Sequence, residues 1–280
     1  MKNILIYCSF VVLFLSACNL TRDVNVDLPA YESQPVVECY LEPGKPFRLL
    51  LSKSYSFFDP LGLDSSFLDK TLLQGATVAI LYDGKKVNLA NQFSFDPSPL
   101  KLFNYTASEI VPAKVGTTYS LEITLPDGNT IAGTTIMLPK VEIDSIPIQF
   151  SAKNDTLARA LMYITDDLTT VDFYRRMLHY GSLDSLPQQD FLPTDRFSTE
   201  KTIAFGTGYD IPLGDTIFNT IFHITPEYYD YLESVQLAIQ SSFNPFGQPS
   251  PIKSNVKGTS NPLGIFTCLV YDREMTIIKK

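Results

Sequence analysis

Short apolar runs separated by turn residues fill the chain from residue 35 onwards, and this pattern limits the possible folds most. Residues 119–125 alternate apolar and polar side chains, which is the period of a strand buried on one face. Asp83-Gly84 joins two apolar runs and predicts a tight hairpin, because such a turn needs positive φ. About seven short strands within residues 34–138 predict an immunoglobulin-like β-sandwich.

A segment bracketed by Pro139 and Pro147 marks the predicted boundary between two domains, because such a segment favours a semi-rigid, extended connector. Residues 139–280 continue with strand-like runs at 158–165, 172–180, 216–224 and 263–270. The predicted fold class is therefore mainly β, with the sandwich followed by a second β-rich domain.

One amphipathic helix is predicted near residues 226–240. Thr225 can cap it, Pro226 suits its first position, and Glu227 complements the positive end of the helix dipole. Apolar side chains then recur at helical spacing and form one stripe.

The N-terminus has the pattern of a lipoprotein signal peptide, residues 1–17. Lys2 precedes an apolar run, residues 4–15, that is shorter than the roughly 20 residues needed to cross a bilayer. The run ends in Leu-Ser-Ala-Cys18, which resembles the lipobox in which the cysteine thiol is acylated. We expect several acyl chains, palmitate among them, to anchor Cys18, and residues 18–33 to form a polar tether. The alternative is an ordinary secretory signal with an incidental cysteine.

The charge of the chain argues against nucleic acid as a partner. Loss of residues 1–17 removes the charge of Lys2 and changes the formal net charge from −8 to −9. Nucleic-acid binding needs clustered basic residues, whereas Arg175-Arg176 and Lys279-Lys280 are isolated pairs that we expect to be solvated.

Two cysteines remain besides Cys8 in the leader and Cys18. Export permits a disulfide between Cys39 and Cys268. Their positions near opposite ends of the chain, in different predicted domains, favour two buried thiols instead.

The sequence contains no recognisable catalytic or metal-binding motif, so neither an enzyme nor a cofactor is predicted. His179 and His223 lie outside any HExxH spacing, no CxxC occurs, and no GxSxG elbow is present. Each histidine is expected to be a strand residue with an ordinary hydrogen bond. Asp166-Asp167 is expected to be a solvated turn; the alternative is a pair of catalytic carboxylates, which is identified by the separation of the two groups in the fold.

Aromatic residues crowd two connections of the predicted sandwich. Long loops are commonly functional, and aromatic side chains dominate the energetics of interfaces. The alternative is that these rings pack over the ends of the sandwich or onto the second domain. The predicted partner-binding residues are Tyr55, Phe57, Phe58, Phe67, Phe93 and Phe95.

Several segments together resemble the Bacteroidota lipoproteins of domain-of-unknown-function family 4249. They are residues 27–29 (DLP), 36–44 (VVECYLEPG), 144–146 (DSI), 244–246 (NPF) and 263–266 (LGIF). The resemblance implies an outer-membrane lipoprotein, often associated with TonB-dependent receptor systems, without catalytic residues to transfer. Residues 19–23 are a poor version of an acidic surface-export signal, so the sequence indicates neither the periplasmic nor the surface-facing leaflet of the outer membrane.

Three functions remain as hypotheses. The first is a non-catalytic accessory lipoprotein that binds a TonB-dependent receptor barrel or another envelope complex. The second is a surface glycan-binding module, although the chain has no tryptophan. The third is a hydrolase with an unrecognised pair of carboxylates.

The lipid anchor gives a direct prediction for Cys18→Ser. A serine hydroxyl does not replace the acylated thiol, so the variant should remain unprocessed and leave the membrane fraction on carbonate washing. Ala17, which precedes the cleavage point, provides the matched control, because Ala17→Gly keeps a small residue there and should preserve anchoring. Unchanged fractionation of Cys18→Ser would contradict the lipobox interpretation.

Overall fold

Twenty strands and two helices make up the regular structure of residues 31–56, 67–96, 101–242 and 250–280, the parts of the chain that the computed structural model describes. Elements up to residue 136 are β1 (Pro35–Leu41), β2 (Pro46–Lys53), α1 (Phe67–Thr71), β3 (Thr77–Tyr82), β4 (Lys85–Leu89), β5 (Ser94–Asp96), β6 (Lys101–Phe103), β7 (Tyr105–Ile110), β8 (Thr118–Thr124) and β9 (Thr130–Ile136). The remaining elements are β10 (Ile143–Ser145), β11 (Ile148–Phe150), β12 (Leu157–Thr165), β13 (Phe173–Tyr180), β14 (Gln189–Phe191), β15 (Thr202–Gly206), β16 (Ile211–Pro212), β17 (Thr216–Ile224), α2 (Pro226–Ser242), β18 (Val256–Gly258), β19 (Leu263–Cys268) and β20 (Val270–Ile277).

The first sandwich consists of two sheets whose inner faces share one hydrophobic core. Sheet 1 has the strand order β19-β1-β2-β7, and sheet 2 has the order β18-β9-β8-β3-β4. Burial alternates along β1, β2 and β8, so every second side chain enters this core. Asp83 and Gly84 form the predicted hairpin turn between β3 and β4, with φ angles of 46° and 73°. The prediction of a mainly β fold with a sandwich is confirmed.

The second sandwich packs two further sheets against each other. Sheet 3 centres on β12, which pairs with β10, β11, β15 and β16, and sheet 4 has the order β14-β13-β17-β20. Two clusters of buried apolar residues fill the space between them. The other face of sheet 4 is also covered, because Phe173 and Phe222 pack there with Tyr228 of α2. Strand β13 is therefore buried on both faces, and its burial pattern is nearly continuous.

Strands from the end of the chain complete the first sandwich. β19 pairs with β1 in parallel, and β18 pairs with β9. The boundary predicted between residues 138 and 139 lies between β9 and β10, yet the chain returns across it, and Ser33–Lys280 form one compact unit. Leu269 alone separates β19 from β20, so one extended stretch of chain passes from sheet 1 into sheet 4.

The predicted helix is present as α2, Pro226–Ser242. Thr225 caps it as expected, because its hydroxyl accepts a hydrogen bond from the Tyr228 amide at 3.3 Å. Tyr228 and Ser234 are its buried residues. In the described ranges, neither helix has the length and apolar character that crossing a bilayer requires.

Cys39 and Cys268 are both buried free thiols. Their assignment to different domains is wrong, since they lie on the neighbouring strands β1 and β19 of sheet 1. Burial raises the pKa of each thiol, which keeps both in the unreactive protonated form.

The pairing of β1 with β19 predicts a large effect for Gly264→Ala. Gly264 has a φ of +120°, and a Cβ there would lie 1.9 Å from the carbonyl oxygen of Val37. We expect the substitution to lower the free energy of unfolding by at least about 3 kcal/mol, measured by urea denaturation.

Gly128→Ala is the control, because Gly128 also has positive φ, +86°, but has nothing within 4 Å of the added Cβ. It should cost about 1–2 kcal/mol. Equal losses for the two variants would show that close approach to β1 is not the constraint.

Candidate functional site

A cleft of about 410 Å³ lies between the outer face of sheet 1 and the face of sheet 4 that α2 covers. Tyr40 and Arg48 reach it from β1 and β2, Arg175 from β13, Tyr228 from α2, and Tyr271 from β20. A second depression, of about 660 Å³, is lined by an open mixture of acidic, basic and small residues without aromatic rings. The first cleft is therefore the better candidate for a binding site.

Strand alternation explains why these side chains meet. Arg48 lies between the core residues Phe47 and Leu49 on β2, so it must point to the opposite face of sheet 1. On β13, Arg175 and His179 share the face that lines the cleft, whereas Arg176 and Leu178 face sheet 3. The cleft is thus formed by the second faces of strands whose first faces form the cores.

The cleft carries a local positive charge within an acidic protein. Two carboxylates, Glu42 and Asp96, line it, against a larger set of cations. Those five cations are Lys45, Arg48, Lys101, Arg175 and Arg273. The formal net charge of the whole chain is −8, so the sign of the charge here is opposite to that of the molecule.

Most of the cleft cations are held in place by hydrogen bonds. Arg48 Nη2 donates to Asp96 Oδ2 at 3.1 Å. Arg175 donates to both oxygens of Asp190, at 2.8 and 2.6 Å. Arg273 Nε donates to the Thr220 hydroxyl at 2.9 Å. These anchored guanidinium groups can meet an incoming anion with little loss of side-chain entropy.

Lys101 differs from the three hydrogen-bonded arginines of the cleft in the contact that its charged group makes. Its ammonium group lies 4.0 Å from the centroid of the Tyr40 ring, and among the described residues it forms no ion pair. Burial is the main cause that lowers its pKa. A desolvated ammonium over an aromatic face, without a bound carboxylate, is well suited to contact an anionic ligand.

The expectation that Arg175-Arg176 is a solvated pair is wrong. Arg176 is 0% exposed and is bonded to Gln189 and to Asn219 Oδ1, the latter at 2.7 Å. Burial lowers the pKa of Arg176 to about 10. Two adjacent arginines on one strand point to opposite faces, and here both faces are covered.

The two histidines have different surroundings. His223 has the expected bonds, from Nδ1 to the Pro139 carbonyl at 2.8 Å and from Nε2 to Asp172 Oδ1 at 3.2 Å. His179 does not, since its Nδ1 is buried without a hydrogen-bond partner in the described structure. Burial, and then the charge of Arg273, lower the pKa of His179.

The sequence-predicted aromatic residues separate into two groups. Phe93 and Phe95 are 52% and 54% exposed, and Phe95 belongs to the β5–β6 hairpin whose Asp96 and Lys101 line the cleft. Tyr55 is partly buried, with its hydroxyl 3.3 Å from the Thr71 hydroxyl, and Phe67 begins α1. Cys18, Phe57 and Phe58 lie outside the described residues.

Three aspartates form a separate acidic cluster, Asp166, Asp172 and Asp195, and one carboxylate oxygen of each lies within 4.8 Å of the others. Asp166 is only 3% exposed, which corrects the expectation of a solvated Asp166-Asp167 turn. Asp167 itself is exposed. Of the groups described, this one has the donor set that could hold a metal ion.

Sequence reasoning missed both the cleft and this cluster. The cleft residues come from eight separate elements, and no pair of them has a motif spacing. The signal that could have pointed to it is a charged residue embedded in an otherwise apolar strand, as at Arg48 and Arg175.

The low pKa of His179 predicts a pH effect that NMR can measure. With only two histidines in the chain, each C2 proton can be assigned with a His179→Gln variant. The His179 resonance should titrate with a midpoint below the ordinary value of about 6.5. As the pH falls, the unfolded chain therefore binds a proton at this histidine before the folded chain does. The contribution of neutral His179 to the free energy of unfolding is present above about pH 6.5 and is lost as the pH falls below it. A midpoint at or above 6.5 would contradict the burial argument.

Comparison with known proteins identifies the family of this chain. The sequence model described as "Domain of unknown function (DUF4249)" matches residues 21–274. A comparison with curated proteins gave no match. Because the family match covers most of the chain, the protein belongs to the DUF4249 family.

Proposed function

We propose that this protein is a non-catalytic outer-membrane lipoprotein that serves as an accessory, partner-binding component of an envelope complex, such as a TonB-dependent receptor. The observation that carries the proposal is the cationic, aromatic cleft between sheets 1 and 4. Its anchored cations and aromatic faces supply contacts for binding an anion-bearing segment.

The size of the cleft suits one or two side chains of a partner protein rather than a whole small-molecule ligand. A volume of about 410 Å³ is near the lower end of ligand pockets, so it accommodates one or two side chains of a partner. Buried aromatic and arginine side chains are the residues that contribute most of the energy at protein interfaces. We infer that an acidic loop of the partner inserts one or two carboxylates here.

The β5–β6 hairpin extends this contact beyond the cleft. Asp96 and Lys101 face the cleft, while Phe95, between Ser94 and Asp96, points away and is exposed. A partner that extends from Lys101 around the edge of this strand pair would meet the exposed Phe95 ring on its other face. The exposure of Phe95, one of the aromatic residues predicted from the sequence to bind a partner, supports a position for it at the rim of the proposed interface.

The proposed anchor restricts where the partner must be. A random coil of the length of the predicted tether, residues 18–33, has a root-mean-square end-to-end distance of roughly 20–25 Å. A body attached in this way samples the membrane surface and its protein loops at a high effective concentration. An integral membrane partner fits this arrangement, because both proteins then share one bilayer.

Affinity purification of the lipidated full chain from membranes in mild detergent tests the proposal. The wild type should recover a β-barrel protein, and Lys101→Glu should weaken that interaction at least about tenfold, because it reverses a charge in the cleft. Phe95→Ala should weaken it less. Recovery of the wild-type protein alone, as a monomer, would contradict the proposal.

Two matched variants separate the cleft from general effects of charge and exposure. Lys153→Glu makes the same charge change at an exposed lysine outside the cleft, and Phe197→Ala removes a ring that is 91% exposed. Both should retain the partner. Loss of binding in these controls would show that net charge or surface hydrophobicity, not the cleft, is responsible.

A surface glycan-binding module is the second candidate, favoured by one observation. Tyr40, Tyr228 and Tyr271 line the cleft beside its cations, an arrangement that suits a sugar carrying a carboxylate or sulfate group. A glycan array probed with the wild type and Lys101→Glu tests it. Binding of acidic glycans that Lys101→Glu removes would favour this function over a protein partner.

A further inference from the structure

The three-aspartate cluster lies where three connections of the second sandwich meet. Asp166 follows β12, Asp172 precedes β13, and Asp195 lies between β14 and β15. One carboxylate oxygen from each lies within 4.8 Å of the other two. Asp166 and Asp195 are buried, with 3% and 6% of their surface exposed.

The backbone fixes these aspartates in place. The Asp172 amide donates to Asp195 Oδ1 at 2.8 Å, and the Asp195 amide donates to the Asp172 carbonyl at 3.3 Å. The Asp166 amide donates to the Lys201 carbonyl at 2.8 Å. The three carboxylates are therefore held together by main-chain bonds and not by attraction between their side chains.

The hydrogen-bond donors around the cluster leave one oxygen without a partner. Tyr174 donates its hydroxyl to Asp166 Oδ1 at 2.5 Å, and Asp172 is bonded by Thr170 and His223. Asp166 Oδ2 is fully buried and accepts no hydrogen bond. In the described structure His223, 3.2 Å from Asp172, is the one basic side chain within ion-pair distance of the three aspartates, and no lysine or arginine pairs with them.

A buried carboxylate oxygen without a donor is unfavourable unless a proton or a positive charge reaches it. Three carboxylates so close together also repel one another, which is consistent with the raised pKa of Asp195, caused first by burial and then by Asp166 and Asp172. Either a cation or a shared proton can remove this cost.

We propose that Asp166, Asp172 and Asp195 form a binding site for a divalent cation, with Ca²⁺ as the best match. All the offered ligands are oxygens, which hard cations prefer. The three ligands come from separate connections, and Ca²⁺ accepts oxygens in a flexible coordination geometry, whereas Mg²⁺ requires a near-ideal octahedron. One carboxylate oxygen of each aspartate lies within 4.8 Å of the other two, which is close enough for them to share one ion.

Such a cation would join the β12–β13 and β14–β15 connections at one point. These connections hold the ends of sheets 3 and 4, so occupancy should stabilise the second sandwich against unfolding. This inference is independent of the proposed receptor partner, because none of the three aspartates lines the cleft.

Terbium luminescence on the lipidated full chain, purified in mild detergent and treated with a chelator, tests the proposal. Tb³⁺ occupies calcium sites, and the chain has no tryptophan, so tyrosine supplies the sensitised emission. Tyr174, bonded to Asp166, lies close enough to do so. We expect saturable emission that Ca²⁺ displaces, and a Tm that rises with calcium.

Asp195→Asn should lower the affinity for Tb³⁺ and Ca²⁺ at least tenfold. Asp172→Asn, which changes the least buried of the three, should do the same if Asp195→Asn fails to fold. Asp167→Asn is the matched control, because Asp167 is adjacent and exposed, and among the described residues its side chain accepts bonds only from Thr169. It should bind as the wild type does.

Absence of sensitised emission in the wild type would overturn the proposal, and so would unchanged affinity in both Asp195→Asn and Asp172→Asn. A Tm that does not change with calcium would also overturn it.

Discussion

The parallel pairing of β1 with β19 is the constraint on which the rest of the structure depends. It joins a strand from the start of the described chain to one near its end, and Gly264 permits the close approach to Val37. Because only Leu269 separates β19 from β20, the same pairing positions sheet 4 against the outer face of sheet 1. The cleft lies at that junction, so its geometry follows from the way one extended segment crosses between two sandwiches.

Strands covered on both faces account for the chemistry of the cleft. β13 has Tyr174 and Leu178 on one side, packed against sheet 3, and Arg175 on the other, beside α2. A charged residue on such a strand cannot reach bulk water freely, so it must find fixed partners, as Arg175 does with Asp190. The result is a set of cations whose positions are fixed before any ligand arrives.

Local sequence patterns predicted local structure well, for physical reasons. Alternation, the Asp83-Gly84 turn and the Thr225 cap each act over a few residues, and β8, the β3–β4 hairpin and α2 are present where those patterns indicate them. The pairing of β1 with β19 was not predictable, because its partners are more than 200 residues apart and a parallel register leaves no turn signal. The burial of Arg176 and Asp166 was missed for a related reason: charge predicts exposure only where a face of the strand is free.

The cleft and the acidic cluster are linked through adjacent residues of one strand. Tyr174 donates to Asp166 on one face of β13, and Arg175 lines the cleft on the other. A shift of β13 by one residue would therefore remove both sites together, since each side chain would change face. The eight-residue register of β13 with β17, from Phe173↔Ile224 to Tyr180↔Ile217, resists such a shift. In an acidic protein, that register keeps Arg175 in the cationic cleft on one face of β13 and Tyr174, which donates to the acidic cluster, on the other.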